Sequence, residues 1–345
     1  MTGRWPAEWS THLETLVVWP GRPEVWEPHL VGARREFRHL VEVIAHHEPV
    51  RVIVPSLDPA TLRDLDVPYA NPNVKLLDLA TDDSWARDIA PLFVQDATDA
   101  ETAMCFRFNG WGGKFTPHCK DAAFGRRLAE VLGVPHRDLG LVLEGGSLDV
   151  DGLGTAIAVE PTILNDNRNP GATRAEVEAL LRESLGVETV IWLPYGLIDD
   201  VDTDGHVDNV ARFVAPGHVI AQARGGCKQD DEQLAENLAV IKAARDFSGA
   251  RLHVIEMPWL PYSDLGSPRP ASYCNFYFVN GAVLLPITGS ETDGLAATLL
   301  HDATQLPVVP IHASLLAHGG GGVHCVAMPR FARTTERNDQ YDITF

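Results

Sequence analysis

The chain has 345 residues, 45% of them hydrophobic and 22% charged, so it can bury a sizeable core and lacks the composition of a disordered segment. Its 47 acidic residues against 28 basic ones leave a formal charge of −19, which argues against nucleic acid or an anionic membrane as the main partner and suits a small cation. Five cysteines without a CxxC pair indicate neither a disulfide framework nor a zinc knuckle, and with no membrane-length apolar run and no signal-like amino terminus a reducing cytoplasm is expected.

Apolar side chains at near-helical spacing (Leu30, Phe37, Leu40, Val41, Ile44) predict a long amphipathic helix over 27–47, with Pro28 in its first turn. The β-branched run Val50 to Val54 predicts a strand, and VKLLDLA (74–80) another. Further helices are predicted at 121–132, 173–185, 230–247 and 292–303. The helix at 173–185 has the clearest signals: Thr173 and Glu176 have capping-box spacing, and Gly186 can end it in a left-handed conformation. Strands are predicted near 92–94, 103–109, 141–150, 154–160, 189–193, 209–214, 251–256, 273–286, 307–311 and 323–328. Strands outnumber helices about two to one, and neither GxGxxG after a first strand nor a Walker loop is present, so the expectation is an α/β assembly of small mixed sheets. No linker, low-complexity tract or repeat is visible, and residues 1–345 read as a single domain.

Gly319 to Gly322 precede Val323, His324 and Cys325, and read as a loop that delivers a nucleophilic thiol on unusually free backbone. The alternation of Val323, Cys325 and Ala327 predicts a short strand that fixes the direction of Cys325; the plain alternative is a turn leading to a buried strand, with Cys325 a small apolar core residue. The Asp-rich DDVDTDGHVDN (199–209) fails as an EF-hand, because its twelfth position from Asp200 is Ala211 where a bidentate Glu is needed. The histidines are too scattered for a dinuclear metal site. His206 and Asp208, two apart, would face one side of a strand and pair an acid/base with a fixed anion. TDDSWARDIAP (81–91) sets Asp82, Asp83 and Asp88 around Trp85, and FNGWGGKF (108–115) places Trp111 in a Gly-rich turn. LEGGSLDVDGLGT (143–155) puts Glu144 before paired glycines, where a bulge or a tight backbone approach is expected.

Together and in order, PAEW (6–9), TDDSWARD, FNGWGG, LEGGS, NDNRNP (165–170), DTDGHVDN, PASYCNFYFVN (270–280) and GGGGVHC resemble the agmatine deiminases, within the guanidine-modifying pentein superfamily and related to bacterial peptidylarginine deiminases. The resemblance implies a five-bladed β/α propeller with pseudo-fivefold symmetry and a central active site. It implies Cys325 as nucleophile, His206 as acid/base, and Asp88, Glu144 and Asp208 as guanidinium-binding carboxylates, with Trp85, Trp111 and Gly322 as further substrate-binding positions. A small cationic guanidine is the implied substrate, polyamine biosynthesis through putrescine the setting and a homodimer the common assembly, with no metal or organic cofactor.

The implied reaction is hydrolysis of agmatine to N-carbamoylputrescine and ammonia through a cysteine thiouronium. Alternatives are a deiminase of another guanidine or of peptidyl-arginine, an amidinotransferase, and a guanidinium-binding protein without turnover. Asp82 and Asp202 are spare acids that could attract the distal amine of agmatine. KFTPHCKD (114–121) and VAMPRF (326–331) depart from the family's usual pattern, and both could touch the substrate tail.

Overall fold

The computed structural model describes residues 3–55, 71–224, 228–260 and 272–333; Cys227, Pro270 and Ala271 lie outside them. Strand β1 (His12–Val18) leads through helix α1 (Leu30–His47) to β2 (Val50–Val54), parallel to β1, and β3 (Val74–Asp78) continues the sheet in parallel. Next comes a hairpin of β4 (Leu92–Gln95) and β5 (Glu101–Arg107), then α2 (Phe124–Leu132), then β6 (His136–Val142) parallel to β5. The order recurs in β7 (Leu148–Val150), β8 (Thr155–Val159), α3 (Arg174–Leu185) and β9 (Thr189–Leu193). It recurs again in β10 (Ala211–Ala215), β11 (His218–Gln222), α4 (Lys228–Ala243) and β12 (His253–Met257). A further copy is β13 (Tyr277–Val279), β14 (Ala282–Ile287), α5 (Asp293–Thr304) and β15 (Val308–His312). Last, β16 (Ala327–Phe331) pairs antiparallel with β1, so the first unit takes its hairpin partner from the other end of the described chain.

Five small sheets thus share one pattern, an antiparallel pair followed by a parallel one that is joined through a helix, and the first sheet adds β3 beyond it. The small mixed sheets agree with the sequence reading, but the repeat itself was not visible there, because the units share topology without sharing a motif. Local signals account for the best-placed elements. Helix α1 turns Phe37, Leu40, Val41 and Ile44 into the core, and Pro28 lies just outside it. Helix α3 carries the reciprocal Thr173–Glu176 capping box and ends at Gly186 with φ 69°. No described helix is long and apolar enough to cross a membrane.

Four strand expectations are corrected. The stretch 141–150 is broken by a turn at Gly145–Ser147, because Glu144 O accepts from both Ser147 N (3.0 Å) and Ser147 Oγ (2.6 Å). The strand expected at 209–214 begins only at Ala211, after a turn at Val207–Asn209, so His206 and Asp208 do not share an extended strand. The strand expected at 323–328 begins at Ala327, because the carbonyls of His324 and Cys325 accept from Arg87 (Nε at 3.4 Å and N at 3.1 Å) instead of entering a ladder. The run 273–286 is a hairpin that turns at Asn280 and Gly281.

These corrections share a pattern. Each two-stranded hairpin is entered by a tight turn: Ala86–Ile89 before β4, Gly145–Ser147 before β7, Val207–Asn209 before β10, Tyr273–Asn275 before β13, and residues 323–326 before β16. Glu8, in the segment before β1, ties the five units together. Its Oε2 meets Arg87 Nη2 at 2.6 Å and His324 Nε2 at 2.8 Å, and its Oε1 accepts from Arg212 Nη2 at 2.9 Å and Phe278 N at 3.1 Å. Arg212 Nε continues to Asp149 on β7 at 2.9 Å. Burial alone would raise the Glu8 carboxyl, but Arg212, His324 and Arg87 hold it well below the usual carboxylate range.

Candidate active site

The entering turns bring the chemically equipped residues to one place. Asp88 is buried, with Oδ1 accepting from Gly146 N at 3.0 Å and Oδ2 from the Trp111 indole at 2.9 Å. That indole contact holds Trp111 in a left-handed conformation, φ 53°, in a turn capped by Asn109 on Gly112 N at 2.8 Å. Glu144 is clamped through Oε1 by Arg168 Nε at 2.8 Å, which leaves Oε2 3.8 Å from His206 Nε2. His206 Nδ1 lies 3.7 Å from Asp88 Oδ1; both distances are electrostatic contacts and too long for hydrogen bonds.

Cys325 Sγ stands 3.5 Å from Asp208 Oδ2 and receives the side-chain amide of Asn275 at 3.1 Å. Asn275 Oδ1 in turn accepts from the backbone of His324 at 3.0 Å and Cys325 at 3.3 Å. The glycine run acts mainly by its lack of side chains. A Cβ at Gly319 would lie 2.4 Å from Trp26, at Gly321 2.5 Å from Trp85, and at Gly322 2.4 Å from Asn275 Oδ1, while Gly320 alone of the four takes a positive φ (110°). The glycines let two indoles and an amide close on the nucleophile's loop.

The charges oppose one another in an informative way. Burial, then Asp208 and Asp88, push the Cys325 thiol well above its ordinary value, against the Gly322 backbone N–H and the Asn275 amide. Burial would lower the His206 imidazole, but Asp88, Glu144 and Asp208 outweigh it and raise it to about 9. Burial raises Asp88, with Asp208 and Glu144 adding to the effect and His206 opposing it. Among the described residues, His206 Nε2, Asp208 Oδ1 and Asp83 Oδ2 are buried without a hydrogen-bond partner. The two anionic acceptors, Asp208 Oδ1 and Asp83 Oδ2, suit a cation rich in N–H groups.

The pocket is lined by Cys325, His206, Asp88, Asn209, Trp85, Trp111, Phe115, Val25, Thr203, Asp83, Asp202, Gly319 and Gly320. Cys325, His206, Asp88, Trp85, Trp111 and Asp202 therefore meet there, with Glu144 and Asp208 behind His206 and the thiol. Glu144 and Asp208 thus lie behind the wall, and two further expected positions, Asp82 and Gly322, do not line the pocket either. Asp82 accepts from Lys120 N at 2.8 Å and lies 3.7 Å from Lys120 Nζ, so it holds a loop; its neighbour Asp83 faces the pocket instead. Gly322 packs on Asn275 and acts through the thiol, not as a pocket wall. Of the two divergent segments, 114–121 reaches the pocket through Phe115, whereas 326–331 forms β16 and closes on β1.

Sequence reasoning missed the supports. Asp200, taken only as one acid of a cluster, fixes His206 through its backbone N–H (3.0 Å) and Thr203 through its hydroxyl (2.6 Å). Arg168, Asn275, His324 and Glu8 lie inside NDNRNP, PASYCNFYFVN, GGGGVHC and PAEW, whose joint occurrence was the only signal for them.

Residues 4–330 match the family described as Porphyromonas-type peptidyl-arginine deiminase. The chain belongs to that family. It is 35% identical to the agmatine deiminase of Stutzerimonas stutzeri and 35% identical to that of Ectopseudomonas mendocina, in each case across 93% of both chains. Its fold superposes on the structure of the agmatine deiminase of Enterococcus faecalis with a TM-score of 0.87 at 27% identity, covering 95% of each chain. The α/β architecture of five small sheets is thus shared across nearly the whole length of this family member.

His206 generates a pH signature. Because about 9 exceeds its ordinary 6.5, its interactions contribute stability that is fully present below pH 6.5 and lost as pH rises through 9. The shift amounts to about 3 kcal/mol. Urea titrations at pH 6.5 and 9.5 will show a loss in the wild type that His206→Gln largely removes; an equal loss in both would exclude this role for the imidazole.

Proposed function

We propose that this chain is a thiol deiminase that converts agmatine and water to N-carbamoylputrescine and ammonia. The observation that carries the reading is the convergence, from the entering turns of four different sheets, of the Cys325 thiol, the His206 imidazole and the carboxylates of Asp88, Glu144 and Asp208. The curated relatives that match the chain over nearly its whole length act on agmatine by name. We read the five units as blades of one β/α propeller with pseudo-fivefold symmetry, residues 1–345 as a single domain, and the assembly as a homodimer in a reducing cytoplasm, where a free thiol persists.

The protein's own groups favour a protonated thiol and a protonated imidazole. A bound guanidinium changes that balance. At an effective dielectric of ~20, one positive charge 4 Å from the sulfur contributes ~4 kcal/mol towards the thiolate, before screening. As the cation binds, the thiol gives its proton to solvent; Cys325 Sγ then attacks the guanidinium carbon, and the imidazolium of His206 gives its proton to the departing nitrogen. Ammonia leaves and a thiouronium on Cys325 remains. The neutral imidazole takes one proton from water as the oxygen attacks the same carbon; the C–S bond breaks, the remaining hydroxyl proton passes to solvent, the ureido product departs and the thiolate is regenerated. Asp88, Glu144 and Asp208 orient the cation and balance its charge throughout.

The substrate tail has a place to go. Asp83 lines the same pocket, and burial pushes its carboxyl up to about 6 against the pull of Ser84 N–H and of Arg22, whose Nη1 is 3.8 Å away. An amine on a flexible chain would pair with its unused Oδ2. We assign the distal cation of agmatine to Asp83 and Asp202, with Trp85 and Phe115 as apolar walls for the methylenes.

Two experiments follow. Purified protein with agmatine in excess EDTA is expected to release ammonia and N-carbamoylputrescine, and Cys325→Ala to release neither; urea with putrescine, or loss of activity in EDTA, would overturn the reading. Asp83→Asn is expected to raise KM for agmatine about tenfold while moving the urea midpoint at pH 8 upward, since it removes a carboxylate whose buried charge costs about 3 kcal/mol. Unchanged KM would remove Asp83 from the substrate site.

A further inference from the structure

The mechanism leaves the imidazole beside Cys325 unused. His324 is next to Cys325 in the chain, and both of its ring nitrogens meet carboxylates: Nδ1 lies 2.8 Å from Asp208 Oδ2 and Nε2 lies 2.8 Å from Glu8 Oε2. Both distances are within hydrogen-bond range. The surroundings keep both carboxylates ionised. Glu8 also receives Arg87 and Arg212 and is held well below the usual range, and Asp208 is lowered too, since His324, His206 and Arg212 outweigh the burial that would raise it.

The result at Asp208 is directional. Oδ2 is occupied by His324 and faces Cys325 Sγ at 3.5 Å, while Oδ1 is buried without a partner. We propose that His324 is a positioning residue that clamps Asp208 between the Glu8 hub and the substrate pocket and so holds Oδ1 available to the substrate's cation. The inference rests on the deiminase reading for the identity of that cation, but the clamp itself stands on the geometry of Glu8, His324 and Asp208.

The groups facing the clamp are Glu8 from the segment before β1, Arg87 and Asp88 from the Ala86–Ile89 turn, Asp149 on β7, His206 beside Asp208, Arg212 on β10, and Cys325. Tyr277 on β13 stands with its ring 6.5 Å from the imidazole and its hydroxyl on Thr15. Removing the imidazole leaves Asp208 with Asp88 nearby and burial unopposed on that side, so it takes up a proton at higher pH. Since the ionised form is the one that binds, kcat/KM would then fail at higher pH on the acid side.

The test compares the wild type with His324→Asn, in parallel with 13C-carboxyl NMR of the wild type in which the Asp208 signal is assigned by its loss in Asp208→Asn. The proposal expects the Asp208 carboxyl of the wild type to titrate below the ordinary aspartate value. It also expects the acid limb of kcat/KM for agmatine to move up by about one pH unit in His324→Asn, with KM raised about tenfold and kcat changed less. A purely structural role would lower stability without moving the limb. An Asp208 carboxyl that titrates at or above the ordinary value, or a variant whose pH profile superimposes on the wild type, would overturn the proposal. If His324→Asn does not fold, the wild-type NMR decides the matter alone. Failure of the wild type to release ammonia from agmatine would instead refute the deiminase reading, and the NMR result would still decide whether the clamp exists.

Discussion

A single buried carboxylate organises this molecule. Glu8 accepts from Arg87, Arg212, His324 and the backbone of Phe278, and through Arg212 it reaches Asp149, so one side chain contacts or is one step from every one of the five sheets. Taking that many charges out of water is costly unless each is paired, and here each has a partner of opposite sign. Such an arrangement tolerates little displacement. The tight turns that enter β4, β7, β10, β13 and β16 are thereby held in register, and those turns carry the reactive side chains.

The site built on this frame has a conflict at its centre. The carboxylates that suit a guanidinium also keep the Cys325 thiol protonated and raise His206 to about 9. In the reaction proposed above, the conflict makes the nucleophile conditional on the substrate: a protonated thiol is a poor nucleophile, and in that proposal the substrate cation takes the carboxylates as ligands, places a positive charge beside the sulfur and finds the imidazolium already holding the proton that the leaving nitrogen needs. His324 belongs to this balance from outside the pocket, since it meets Asp208 on one side and Glu8 on the other.

How much of this could be read from residues alone depended on the range of the interactions involved. The capping box of Thr173 and Glu176 is local, and α3 begins and ends where those signals place it. The glycine run pointed to Cys325, although its reason proved to be close approach by Trp26, Trp85 and Asn275 more than backbone freedom. The strand expected through Cys325 failed for a non-local reason: Arg87, more than two hundred residues away in the chain, binds the carbonyls that a ladder would have used. Asp82 and Asp83 are adjacent and chemically identical, and what tells them apart is Lys120 beside the first and Ser84 and Arg22 beside the second. The fivefold repetition was hidden because each unit has its own side chains for the same topology. Glu8, Arg168, Asn275 and His324 were visible only as members of motifs, since their partners lie in other sheets.

The account stands on a covalent bond to Cys325. Rapid acid quench of the wild-type protein with agmatine in the first turnover, followed by peptide mass mapping, tests it most directly. The expected result is a peptide containing Cys325 that is heavier by agmatine less ammonia, appearing in step with the ammonia released. Ammonia release with Cys325 unmodified at every quench time, or the added mass on a different residue, would contradict it.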